Sequence, residues 1–220
     1  MKNIATYLVF LLVNFALINY SYATDLTEQS ISEDKKLANI IEIHETFYLE
    51  SSPFNQPNIL GNNAKLPDLS ADFLLAQYQQ RLAIYQQLLT VDNEKLSQEN
   101  QINFSVLSYN LKNKLDSYTN KEHYMPLTAE SGFHVWIASI PKQVDFKTVR
   151  DYQDYLSRLA ALPRYFSQQI YWMKEGLKEK ISQPKVVLEG FEQSILAYVK
   201  EDVTQSGYYK PFNSMSNFIS

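Results

Sequence analysis

Gly132–Pro141 reads GFHVWIASIP, and Phe146–Leu188 reads FKTVRDYQDYLSRLAALPRYFSQQIYWMKEGLKEKISQPKVVL. In the second stretch Tyr152, Tyr155, Leu156, Leu159 and Leu162 recur at helical spacing, and so do Phe166, Ile170, Met173, Leu177 and Ile181 beyond Pro163. Thr148 with Asp151 predicts a capped helix start, the shorter acid standing where glutamate is usual. Pro163 has no amide proton and disfavours helical geometry at Leu162, so a kink or a fresh helix is expected there. Ser182 and Pro184 open a further stripe of Val187, Leu188, Phe191, Ile195 and Val199. The fold class that follows is mainly α.

Working outward, residues 24–36 are polar and expected to form a flexible arm. Leu37–Leu49 is expected as the first helix, with Ile40, Ile41, Phe47 and Tyr48 at helical spacing. Ser51–Leu69, with Pro53, Pro57, Gly61 and Pro67, reads as an irregular connection. Ser70 caps a helix whose stripe is Phe73, Leu74, Tyr78, Leu82, Tyr85, Leu88 and Leu89. Ser97 caps a third, burying Ile102, Val106, Leu107, Leu111 and Leu115. Residues 119–147 are expected as a long loop, the first place to look for a groove. The helical region as a whole runs over 37–212, with 213–220 a closing tail.

The chain has 220 residues, a formal charge of −4 and no cysteine. A mildly acidic chain without a basic block argues against nucleic acid or an anionic membrane as partner. The lack of cysteine excludes a disulfide scaffold, a thiol nucleophile and a thiolate metal site. At the start, Lys2, the apolar run Ile4–Ile18 and the small residues Ser21 and Ala23 form a secretory leader, with cleavage expected after Ala23. The competing reading is an uncleaved anchor, for which the run is short and interrupted by Asn14. Export places the mature protein in the periplasm or outside the cell, with no membrane association once the leader is removed.

Candidate chemistry is sparse. His44-Glu45 begins like a helical zinc motif, but Tyr48 occupies the position of the second imidazole. His123 lies in a charged stretch and receives no role. Gly132, His134 and Trp136 are the candidate substrate-binding residues. With strand-like alternation His134 and Trp136 would point the same way and line a groove. The alternative is a structural histidine holding that loop against the helices. No nucleophile elbow and no phosphate loop is present, so no catalytic and no metal residue is assigned.

Six segments in order carry a resemblance. Leu66–Ser70 (LPDLS) is similar to an "LPDLSP" entry, with Ala71 in place of proline. Leu88–Asn103 resembles "L..ID...LS.ED.LNY". Gly132-Phe133-His134 with Pro141 matches "GVH....LP", and Phe146–Leu162 matches "F.T..DY..YL.RL..LP". Gly176–Val187 matches "EG...G...P..VV" with Lys180 replacing a glycine, and Ser206–Phe212 resembles "SPFY.PF". Together they resemble the N-terminal region of the bacterial family known as domain of unknown function 885. The resemblance implies an exported, all-helical, zinc-peptidase-like protein, of which this chain is the N-terminal portion of a larger zincin-like fold. The family's metal motif, a segment like His-Glu-x-x-Pro-Gly-His-His, lies downstream of the matching region and is not in this sequence. No ligand is therefore carried over: no cofactor is assigned to this chain, and zinc belongs to full-length relatives.

Two functions are expected from these readings. One is the non-catalytic helical region of a metal-dependent peptidase or hydrolase, inactive alone, with a peptide as the substrate of full-length relatives. The other is a self-contained periplasmic helical module that binds a partner without catalysis.

Overall fold

The computed structural model describes residues 27–55, 64–128 and 131–217. The leader and its cleavage point at Ala23 lie outside them, as do Pro57 and Gly61. The described chain is helical, with one isolated antiparallel bridge between Leu127 and Gly132. Its elements are α1 (27–50), α2 (Ala71–Leu88), α3 (Gln98–Thr119), α4 (Phe133–Ala138), α5 (Val149–Ala160), α6 (Leu162–Glu179), α7 (Lys185–Leu188) and α8 (Phe191–Leu196). Short 3-10 turns lie between and after them. No helix among the described residues is long and apolar enough to cross a membrane.

The chain divides into two compact units. The first takes in 27–46 and 80–114. Leu37 and Ile40 of α1, Ile84 and Leu88 of α2, and Leu107 and Leu111 of α3 are buried in it. The chain is already helical at residue 27, ten positions before the expected Leu37, so the described part of the expected flexible arm over 24–36 is helix, and the reason lies in its acids. Glu33 accepts the Asp92 amide proton at 2.9 Å and Asp34 accepts that of Ser97 at 3.0 Å, while Lys36 reaches the Thr90 carbonyl. The early turns of α1 thus satisfy the connection from α2 to α3, where free amides would otherwise cost stability. On α3, Ile102 and Val106, expected inside, are exposed; Leu107 and Leu111 take the core.

The second unit takes in 47–79 and 115–217. Its core gathers Leu66, Ile137, Ile140, Val144, Tyr155 and Tyr165. Thr148 caps α5 through a reciprocal capping box with Asp151. The helix stops at Ala160 and restarts at Leu162 with Pro163 in its first turn, as Pro163 requires. Two polar residues, Asp154 and Arg158, are buried on α5 among the apolar ones. Arg150 pairs with Asp154 at 2.8 Å, and the Arg158 guanidinium lies 5.1 Å from the centre of the Phe54 ring.

On α6 the buried face is Tyr165, Gln169, Trp172 and Gly176, one position round from the expected stripe. Ile170 and Leu177 are exposed instead. Aromatic rings with polar handles prevail because the handles find partners. Trp172 Nε1 donates to the Leu69 carbonyl at 2.7 Å, and Gln169 Nε2 donates to the Tyr165 hydroxyl at 3.0 Å. Beside them Gln168 and Arg164 grip Asp68, so the 66–70 segment is strapped to α6.

Residues 119–147 are not the continuous loop expected. They hold a 3-10 turn at Glu122–Tyr124, the helix α4 and a second turn at Ile140–Lys142. Past Pro184 the expected single helix is two short ones. Gly190, at φ +77°, breaks the stripe between Leu188 and Phe191. Most of the side chains that follow it are exposed.

Candidate functional site

Gly132 caps α4 in an extended conformation, so its need for glycine is not a matter of backbone strain. It is a matter of space. A Cβ there would sit 2.6 Å from Leu127 Cδ2 and 3.0 Å from His134 Nδ1, inside ordinary contact distance. The missing side chain lets the Leu127–Gly132 bridge close and brings the imidazole against the backbone.

Because α4 is a helix, His134 and Trp136 lie on opposite sides of it rather than on one side as strand alternation would place them. Trp136 packs edge-on to Phe54 at 4.6 Å and beside Tyr165, on the second unit's core. His134 is 4% exposed and faces α8. Its ring meets Phe191 at 4.9 Å, and its Nε2 lies 3.0 Å from Ser194 Oγ. The three residues therefore do not line one groove.

A hollow of about 460 Å³ opens at this point, lined by Ser131, His134, Val135, Val187, Phe191 and Ser194 among others. A histidine beside a serine suggests a nucleophile and its base, but the protons are wrongly placed. The Ser194 hydroxyl gives its one proton to the Phe191 carbonyl at 2.6 Å. The imidazole must then donate from Nε2 to Ser194, leaving the Nδ1 lone pair buried with no hydrogen-bond partner among the described residues. No carboxylate among the described residues orients the ring, and burial holds its pKa below the ordinary 6.5. As arranged, the pair packs and orients; it does not activate a hydroxyl.

A second, apolar hollow of about 420 Å³ lies along α6. Tyr124, Met125, Leu127, Met173, Leu177 and Leu188 supply most of its wall. The 122–127 segment is held there by the other close glycine contact. A Cβ at Gly176 would meet the Ile181 carbonyl oxygen at 2.4 Å and Tyr124 Cβ at 3.1 Å. Lys121 and the Tyr124 hydroxyl both bond Glu179, and Tyr124 stacks on Trp172 at 5.4 Å. His123, given no role above, stands edge-on to Trp172 at 4.5 Å and stacks on Tyr118 at 5.3 Å. Burial, with the Lys121 charge, lowers its pKa.

His44 lies in the first unit, where burial and the Arg81 charge lower its pKa. No group of three or more metal-binding side chains occurs among the described residues. What the sequence did not reveal is Ser194, sixty residues from His134 and in a stretch with no motif. The Ser182–Gln183 edge of the apolar hollow was equally silent. A glycine beside each site, Gly132 and Gly176, was the one signal that could have found them.

A family model described as "Bacterial protein of unknown function (DUF885)" matches residues 56–218. No curated protein and no solved structure matches the chain.

Proposed function

This chain belongs to the DUF885 family of bacterial proteins of unknown function, and we propose that it is the non-catalytic helical region of an exported, metal-dependent peptidase or hydrolase. In this reading the helices form one wall of a peptide groove and turn over no substrate by themselves. The observation that carries it is the unpartnered apolar surface. Ile102 and Val106 on α3, Leu196 on α8 and Val199 after it are each more than half exposed. Such side chains gain about 25 cal/mol per Å² when covered, which favours further structure packed on these faces. The leader over 1–23 supports delivery to the periplasm or beyond, with a mature chain beginning at Thr24.

The test is peptide hydrolysis by the purified chain with and without added zinc, together with binding of a dye that fluoresces on apolar surface. The expected result is no zinc-dependent turnover and strong dye binding. Zinc-dependent turnover by this chain would overturn the reading.

One observation favours a second reading, a self-contained helical binding module. The second unit has its own fully buried core in Ile137, Ile140 and Tyr155. A sharp, cooperative thermal transition without dye binding would select it over the first.

A further inference from the structure

The apolar hollow along α6 has three features that a single kind of ligand would satisfy. Its wall is aliphatic and thioether, with Met125, Leu127, Met173, Leu177 and Leu188, and Leu177 is 68% exposed at its edge. Methionine and leucine walls of this kind take an unbranched or aliphatic side chain. Next, Ser182 and Gln183 line the same hollow in a segment without helix. The Ile181 amide is spent on Gly176 and the Pro184 carbonyl on Val187. Between them, the main-chain groups of Ser182 and Gln183 have no protein partner among the described residues. A non-helical segment with free main-chain groups offers donors and acceptors that the backbone of a second chain can meet.

The third feature is charge. Glu179 is bound by Lys121 and Tyr124, Glu175 by Lys178, and Glu122 by Ser117. Lys180 and Lys185, just before and just after Ile181–Pro184, have no carboxylate partner among the described residues. Glu189 has no ion pair among the described residues, and it lines the other hollow beside His134. In sequence, the Ser182–Gln183 edge is therefore flanked by a cation on each side.

We propose that the hollow lined by Met173 and Leu177 binds an extended acidic peptide, seating one aliphatic side chain between carboxylates that meet Lys180 and Lys185. This rests on the peptide-groove reading above and adds the place and the sequence chemistry of the ligand. A lone terminal carboxylate would engage one lysine; two flanking lysines fit acidic side chains on both sides of the aliphatic residue.

The test is fluorescence anisotropy of labelled five-residue peptides against the intact chain. Glu-Ala-Leu-Ala-Glu is expected to bind. Lys-Ala-Leu-Ala-Lys and Glu-Ala-Gly-Ala-Glu are each expected to bind roughly tenfold or more weakly, the weight of a lost charge pair or a lost buried side chain. Leu177→Glu, at an exposed position that leaves the fold intact, should abolish binding. Lys185→Glu should weaken it and reduce its salt dependence. Absence of peptide binding, equal binding of the three peptides, or full binding by Leu177→Glu would overturn the proposal. Binding of octanoate without binding of any peptide would do the same. Zinc-dependent turnover would sink the non-catalytic reading alone and leave this site standing.

Discussion

The hydroxyl of Tyr155, on a fully buried ring of α5, donates to the backbone carbonyl of Tyr208 at 2.9 Å. Tyr152, one turn earlier, reaches the Pro211 carbonyl at 3.3 Å. Two tyrosines read from sequence as simple core residues are thus also anchors for the last described segment. Tyr155→Phe keeps the ring and removes the bond, stranding a carbonyl beside the core, at a cost of about 1–2 kcal/mol. The expected outcome is a lower urea midpoint together with faster chymotryptic cleavage after Tyr208 or Tyr209. Tyr152→Phe, with the longer bond, should cost less.

Lys180 ends α6 in the left-handed conformation, at φ +61°, with Ile181 donating to the Gly176 carbonyl at 2.8 Å. This is the Schellman arrangement, in which glycine is favoured. Here the departure from the family-like pattern, lysine in place of glycine, acquires a physical meaning. Lys180→Gly should stabilise the chain by about 1 kcal/mol by removing the left-handed penalty, and should weaken acidic-peptide binding. Chemical denaturation and anisotropy on the same sample read both effects.

Gly176→Ala should go the other way. Helix propensity alone would favour alanine by ~1 kcal/mol. The new Cβ would meet a backbone oxygen, that of Ile181, which cannot yield without breaking the helix end. Overpacking at about 1–3 kcal/mol therefore wins, and a net loss of stability is expected in thermal unfolding.

His44, His123 and His134 are all held below 6.5, each chiefly by burial, so the native state resists protons that the unfolded chain accepts. Their contribution is complete above pH 6.5 and is lost as the pH falls from there through the folded values. Asp68 and Asp151 behave alike at lower pH. Burial raises them, but hydrogen bonds led by the Ser70 amide and the Thr148 hydroxyl outweigh it and hold both below 3.8. Urea midpoints should drop between pH 7.5 and 5.5, and fall again below 3.8. His123→Phe keeps the aromatic packing and should make the first drop shallower.

Legibility in the sequence followed the range of the interaction. The Thr148–Asp151 box and the restart at Pro163 were readable because neighbours a turn away decide them. The buried face of α6 was missed by one position because the Leu69 carbonyl, 103 residues from Trp172, chooses which side turns inward. The helix at 133–138 is invisible in sequence because six residues carry too little periodicity. Strand-like alternation puts His134 and Trp136 on one side of a groove, whereas the helix turns them to opposite sides. Their partners, Ser194 and Phe54, were set by packing that no local pattern encodes.

The acids of α1 bear on the order of events during synthesis. Glu33 and Asp34 supply acceptors for amides 59 and 63 residues later, at the connection between α2 and α3. The amino-terminal helix emerges before that hairpin, from a ribosome or across a membrane alike, so the acceptors are already waiting when the bend is made. Circular permutation placing 27–50 after α3 would reverse that sequence, and refolding of such a variant would have to proceed with the bend formed bare.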